Sequence, residues 1–153
     1  GIGKGTIYRY FETKDDLYFA TTLHVLDQLA EVVSEAIAHE SSAARRLEVI
    51  ARENLRFYWD RRFLFPFLLT DGLPGRREEL LKRREAILRY GQEAILSGIE
   101  QRELRGVDAR IGAELFLGLV RSANLFRQPE DSLEDLVAQI LSVFLEGVNR
   151  RDV

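Results

Sequence analysis

The sequence has no cysteine and no methionine, only three prolines, and no long apolar run. Without cysteine, a disulfide framework, a thiolate zinc site, an iron–sulfur cluster and a cysteine nucleophile are all excluded, and the chain suits a reducing cytosol. Without methionine, Gly1 is not a translational start, which points to residues upstream of it. The most apolar stretch, Phe63 to Leu69, falls far short of the ~18 residues of a membrane span, and nothing resembles a signal peptide. The expectation is a soluble, cytoplasmic chain. Pro74 and Pro129 sit in loop-like contexts and Pro66 alone should kink a helix. Strand-like alternation with β-branched enrichment is also missing, so the fold class is all-α.

With 46% hydrophobic and 31% charged residues in a chain of 153, one folded domain with a real core is expected rather than disorder. The net charge of −3 argues, taken alone, against a polyanion partner. Its distribution reverses that. Residues 1–14 carry Lys4, Arg9 and Lys14 against Glu12, a net +2, which leaves −5 on the other 139 residues.

Helical periodicity and cap residues divide the chain. Thr13 with Asp16 forms an aspartate variant of the capping box and starts a long helix running to about Glu40. Its face is read as Leu17, Ala20, Thr21, Leu23, His24, Leu26, Asp27, Ala30, Val33, Ala36 and Ile37. Ser42 opens a helix from Ala43 to Trp59, with Leu47, Ile50, Ala51, Leu55 and Tyr58 near one face. A short irregular helix is expected from Arg62 to Leu69. A long one follows from 76 to about 103, burying Leu80, Leu81, Ile87, Leu88, Ala94, Ile95 and Ile99 and weakened locally by Gly91 and Gly98. Asp108 caps a helix from Ala109 to Phe126, and Ser132 with Asp135 starts the last, from Leu133 to Arg150.

The last two helices are apolar over arcs wider than one core face requires. Gly112, Ala113, Gly118, Ser122 and Ala123 would let another helix approach closely. A homodimer face of two helices per chain is inferred, through Leu115, Leu119, Leu136, Ile140 and Phe144.

Function is carried by the segment Gly3-Lys4-Gly5-Thr6-Ile7-Tyr8-Arg9-Tyr10-Phe11-Glu12-Thr13-Lys14-Asp15-Asp16-Leu17. A short helix with Lys4, Thr6, Tyr8 and Arg9 near its start offers donors to base edges and phosphates. The helix beginning at Thr13 points its first amides and Lys14 at a second phosphate. The segment closely resembles the end of the DNA-binding domain of the tetracycline-repressor (TetR) family of bacterial transcription regulators. Their recognition helix and the helix after it read approximately Thr-hydrophobic-Tyr-x-Tyr/His-Phe-x-Ser/Asn/Thr-Lys-Glu/Asp-x-Leu. The resemblance implies that Lys4, Gly5, Thr6, Tyr8 and Arg9 face the major groove, that Tyr10 and Lys14 hold the backbone, and that Ile7 and Phe11 pack inward. It also implies that the first two helices of the helix-turn-helix precede Gly1. Residues 1–17 would then be the end of that DNA-binding domain and 18–153 a helical ligand-binding and dimerisation domain.

Six of the fifteen aromatic residues lie between Phe57 and Phe67. In the family the helices after the long linker helix enclose an effector pocket, and Phe57, Phe63 and Phe67 with Tyr90 and Phe116 are the residues expected to line it for an apolar or aromatic effector. Simple core filling is the competing reading of the same rings. No enzyme is expected: His24 and His39 are fifteen residues apart, and no phosphate loop or nucleophile elbow occurs. No cofactor or metal is implied. The resemblance implies a ligand-responsive repressor, acting as a homodimer on a double-stranded, palindromic DNA operator and released by a small-molecule effector. The alternative is a helical dimeric ligand- or partner-binding module without DNA activity.

Overall fold

The computed structural model describes residues 10–61 and 75–148, which form five helices and, among the described residues, no strand. They are α1 (Lys14–Ile37), α2 (Ala43–Trp59), α3 (Arg77–Glu100), α4 (Ala109–Phe126) and α5 (Leu133–Val148). The expected 62–69 helix and the segment before Tyr10 lie outside the described residues.

Each cap read from the sequence is made. Thr13 Oγ1 accepts the Asp16 N–H at 3.1 Å, and Asp16 Oδ2 accepts the Thr13 N–H at 2.7 Å, closing the capping box of α1. Ser42 and Asp108 accept from Arg45 and Ile111, and the Ser132 hydroxyl from the Asp135 amide. The start of α2 is further held from a distance: Glu103 Oε2 accepts the Ala43 N–H at 2.9 Å, placing a carboxylate at the positive end of the helix. At the other end of α2, Arg127 donates to the carbonyl of Trp59 and lies 4.0 Å from its ring centroid, so a side chain from the end of α4 caps and stacks on the end of α2.

The C-terminal limits differ from expectation. α1 stops at Ile37 rather than Glu40, and α3 at Glu100 rather than 103. After α3 the backbone turns through Arg102, whose φ is 62°, and the amides of Glu103 and Leu104 both return to the Gly98 carbonyl at 2.8 and 3.0 Å. That turn drives Leu104 into the core, so tertiary packing ends the helix earlier than its residue pattern does.

α2 is central and packs against all four other helices. Its predicted stripe, Leu47, Ile50, Ala51, Leu55 and Tyr58, is wholly buried. The face predicted for α1 is corrected. The buried residues are Thr22, Val25, Leu26, Leu29 and Val33, while Thr21, His24 and Asp27 are exposed. On α3, Leu81 points outward, against expectation.

The small residues of α3 and α4 serve a different purpose from the one expected. A Cβ on Gly91 would lie 3.3 Å from the Ala113 Cβ, and one on Gly112 would lie 3.1 Å from Ile95 Cδ1. Gly112 and Ala113 therefore admit α3 of the same chain, not a partner. Gly98 is not a weak point in α3 but a crossing point, since a Cβ there would lie 2.6 Å from the Ala43 Cβ.

Candidate functional site

At the start of α1, Tyr10 is 70% exposed and Lys14 is exposed, so both are accessible to a phosphate backbone. Lys4, Gly5, Thr6, Tyr8 and Arg9 lie outside the described residues. The junction is tied to the body of the chain by Asp16. One of its oxygens, Oδ2, is taken by Thr13; the other, Oδ1, is taken by Nη2 of Arg76, the residue immediately before α3. The same guanidinium lies over the Phe19 ring, 4.9 Å from its centroid. Further along, Arg83 meets Asp27 at 3.2 Å and joins α3 to α1 a second time.

The Thr13 hydroxyl first, and the Arg76 guanidinium after it, hold the Asp16 carboxyl below its ordinary value. A carboxyl whose folded value is depressed stabilises the fold above its unfolded value and loses that contribution as pH falls through the folded one. The stability difference between the parent and Asp16→Asn should therefore be full above the ordinary aspartate range and be lost as pH falls through the lowered folded value. Urea midpoints across that range measure it. A difference that persists in acid would mean the carboxylate is not held as described.

Three of the five aromatic residues expected at the effector site are described, and they share one core. Phe116 is fully buried with its ring 5.1 Å from that of Phe144, and Phe57 and Tyr90 pack partly buried against the same cluster. Phe57 meets Tyr58 edge-on at 5.6 Å and carries the Arg61 guanidinium at 4.5 Å. Burial pushes the Tyr58 phenol well above its ordinary value, with the Arg61 charge opposing, so the hydroxyl stays protonated. Phe63 and Phe67 lie outside the described residues.

The sequence reading missed Asn124. It ends the buried stripe of α4 that runs through Ala113, Phe116, Leu117 and Val120, is 1% exposed, and its Oδ1 has no hydrogen-bond partner. The other buried polar side chains bond back to their own helices: Thr22 to the Tyr18 carbonyl and Asn54 to that of Ile50. The available signal was an amide at core spacing in an otherwise apolar stripe.

The face expected to dimerise divides in two. Ile140 and Phe144 are 6% exposed and are spent inside the chain's own core, Phe144 on Phe116. Leu115 is 63% exposed, Phe126 74% and Val143 63%, while Leu119 and Leu136 are partly covered. Between α4 and α5 lies a groove of about 280 Å³, walled by Leu119, Ala123, Phe126, Leu136, Ile140 and Val143. Nothing approaches within 4 Å of a Cβ placed on Gly118.

Among the described residues no group of three His, Asp or Glu could hold a metal ion, and no helix is long and apolar enough to cross a membrane.

No protein-family model matches the chain. It is similar to the fatty acid metabolism regulator protein of Bacillus subtilis strain 168, at 20% identity over 158 residues that span 99% of this chain and 81% of that protein. The crystal structure of the transcriptional regulator FadR from Bacillus subtilis, in complex with stearoyl-CoA, superposes with a TM-score of 0.83 at 19% identity, covering 97% of this chain and 84% of that one. A transcriptional regulator of the TetR/AcrR family from Thermobifida fusca YX-ER1 gives a TM-score of 0.79 at 26% identity over 98% of this chain and 82% of that one. The same helices over almost the whole chain show that it shares the fold of TetR-family transcriptional regulators, and the segment from Thr6 to Leu17 resembles the motif of that family.

Proposed function

We propose that the protein is a cytoplasmic, ligand-responsive repressor rather than an enzyme, a homodimer whose two DNA-reading ends grip a palindromic operator and release it when an acyl-coenzyme A thioester binds the helical body. Residues 1–17 form the end of the DNA-reading unit and 18–153 the sensing and dimerising unit. The observation that carries this reading is the pairing of a basic, donor-rich tip with α1, a helix of 24 residues that joins that tip directly to the buried core. Lys4, Gly5, Thr6, Tyr8 and Arg9 read the major groove, and Tyr10 and Lys14 hold phosphates. Phe57, Phe63, Phe67, Tyr90 and Phe116 line the effector's apolar part. An acyl chain suits such a core, and the unpartnered Oδ1 of Asn124 offers an acceptor for a donor such as an amide N–H of the coenzyme A arm. The resemblance to a regulator solved with stearoyl-CoA supports that chemical class.

Release follows from differential affinity. An effector that favours one pose of α1 over the other shifts the population and moves the two reading ends out of register with half-sites about 34–36 Å apart. Stearoyl-CoA is expected to stabilise the protein by about 2.7 kcal/mol at a hundredfold excess over its dissociation constant, a rise of roughly 5–10 °C in Tm. Coenzyme A without an acyl chain should give little. Differential scanning fluorimetry reads both, and equal responses to the two would dismiss the acyl-thioester assignment.

Dimerisation is assigned to the α4–α5 face, through Leu115, Leu119 and Leu136 together with Phe126 and Val143. Leu115→Glu puts a charge into an apolar contact and should weaken the dimer about tenfold or more. Sedimentation over a concentration series measures this. A Leu115→Glu variant as dimeric as the parent would move the interface elsewhere.

A further inference from the structure

Asp16 is where two structural tasks meet. Its Oδ2 belongs to the capping box that starts α1, accepting both the amide and the hydroxyl of Thr13 at 2.7 Å. Its Oδ1 is held by Arg76, sixty residues away in sequence. A single carboxylate, six residues beyond Tyr10, therefore links the first turn of α1 to the start of α3.

The geometry on the Arg76 side is equally restricted. Gly75, with φ of +86°, occupies the left-handed region, which turns the backbone just before Arg76. The guanidinium is sandwiched between Asp16 and the Phe19 ring, so it touches α1 at two points on successive turns. Its other terminal nitrogen, Nη1, is buried without an acceptor. A buried donor left unmade is a standing cost that a rearrangement offering an acceptor would relieve. The contact is thus strong enough to hold one pose and incomplete enough to be exchanged.

We infer that Arg76 is a positioning residue for DNA binding: through Asp16 it fixes the first turn of α1 against the body, so that the body sets the pose of the DNA-reading end. The inference rests on the proposed DNA-binding function for its consequence, but not for its geometry. Thr13 and Arg76 can be separated experimentally because they use different oxygens of the same carboxylate. Arg76→Gln removes the tie and leaves the cap, whereas Thr13→Ala weakens the cap and leaves the tie.

The absence of cysteine makes the test direct, since two spin labels can be placed without background. Labels at Glu12 and Glu100, both exposed, are diluted into excess unlabelled protein so that only distances within one chain are recorded. Loss of a partly exposed ion pair shifts a two-state population by about two- to fivefold. Arg76→Gln is expected to broaden or split the Glu12–Glu100 distance distribution accordingly, Arg76→Lys to restore most of it, and Thr13→Ala to lower Tm while keeping it narrow. A distribution in Arg76→Gln indistinguishable from the parent overturns the inference.

A second measurement reads function. On an operator duplex selected in vitro with the parent protein, Arg76→Gln should weaken binding about two- to fivefold while the slope of affinity against salt stays the same, because no phosphate contact has been removed. A reduced slope would make Arg76 a direct phosphate contact and overturn the positioning role. If no operator can be selected with the parent, the DNA-binding reading fails, and the label distances still decide whether Arg76 sets the pose.

Discussion

Phe116→Ala is expected to cost about 3–5 kcal/mol of stability, a fall in Tm on the order of 10 °C. The ring is fully buried at the middle of α4 and tilted against Phe144 at 5.1 Å, so its removal takes away a large apolar surface and leaves a space that neighbouring helices fill only in part. The effect is large because the surroundings are already committed: α2 is held by all four other helices and cannot move in to close the gap without opening another. Calorimetry of parent and variant at one fixed protein concentration measures it, since a dimer's Tm depends on concentration. A loss below about 1 kcal/mol would show that the ring borders open space instead of packed core. In that case Phe116 would be acting as a pocket wall alone.

Gly98→Val is expected to destabilise by about 3 kcal/mol, against the usual gain from removing glycine from a helix interior. A Cβ at this position would lie 2.6 Å from the Ala43 Cβ, 2.8 Å from Leu104 Cδ1 and 2.9 Å from Leu104 Cγ. Leu104 could shift, but Ala43 is the first residue of α2, its amide already held by Glu103. The end of α3 and the start of α2 would have to separate, with loss of the Ser42 and Glu103 caps. Chemical denaturation compares this variant with Gly118→Val, where nothing lies within 4 Å of the added Cβ. If Gly98→Val is no less stable than Gly118→Val, the crossing is looser than its distances state.

The starts of four of the five helices were legible because each is set by a local contact: Thr13 to Asp16, Ser42 to Arg45, Asp108 to Ile111, Ser132 to Asp135. The ends were not. α3 stops short because Leu104 turns back under Gly98 into the core beside Ala43 of α2, a tertiary demand that the residue pattern of α3 does not carry. The buried face of α1 was misread for a related reason. Apolar residues occur on most sides of that helix, so periodicity alone does not choose among them, and packing against α2 and α3 selects Val25 and Leu29. Gly98 was read as a local weakness because helix propensity counts only the chain it belongs to. The outer face of α4 and α5 was half legible: its wide apolar arc was plain, but the buried Ile140 and Phe144 could not be divided from the exposed Leu115 and Val143 without the placement of α2. The tie from Arg76 to Asp16 spans sixty residues and leaves no trace in either neighbourhood.

The seam between α3 and α4 has a consequence for how two operator half-sites would be read together. Gly91 against Ala113 and Ile95 against Gly112 bring the two backbones close, and Arg84 bonds Glu114 at 2.6 Å across the same seam. Close packing of this kind moves as one piece. That piece carries Arg76 and Arg83, which hold α1, and it also carries Leu115 and Phe126 on the outer face. In a dimer joined on that face, no soft layer separates one protomer's hold on its α1 from the other's. Effector binding to one subunit should therefore alter the affinity of the second, giving release with a Hill coefficient above one.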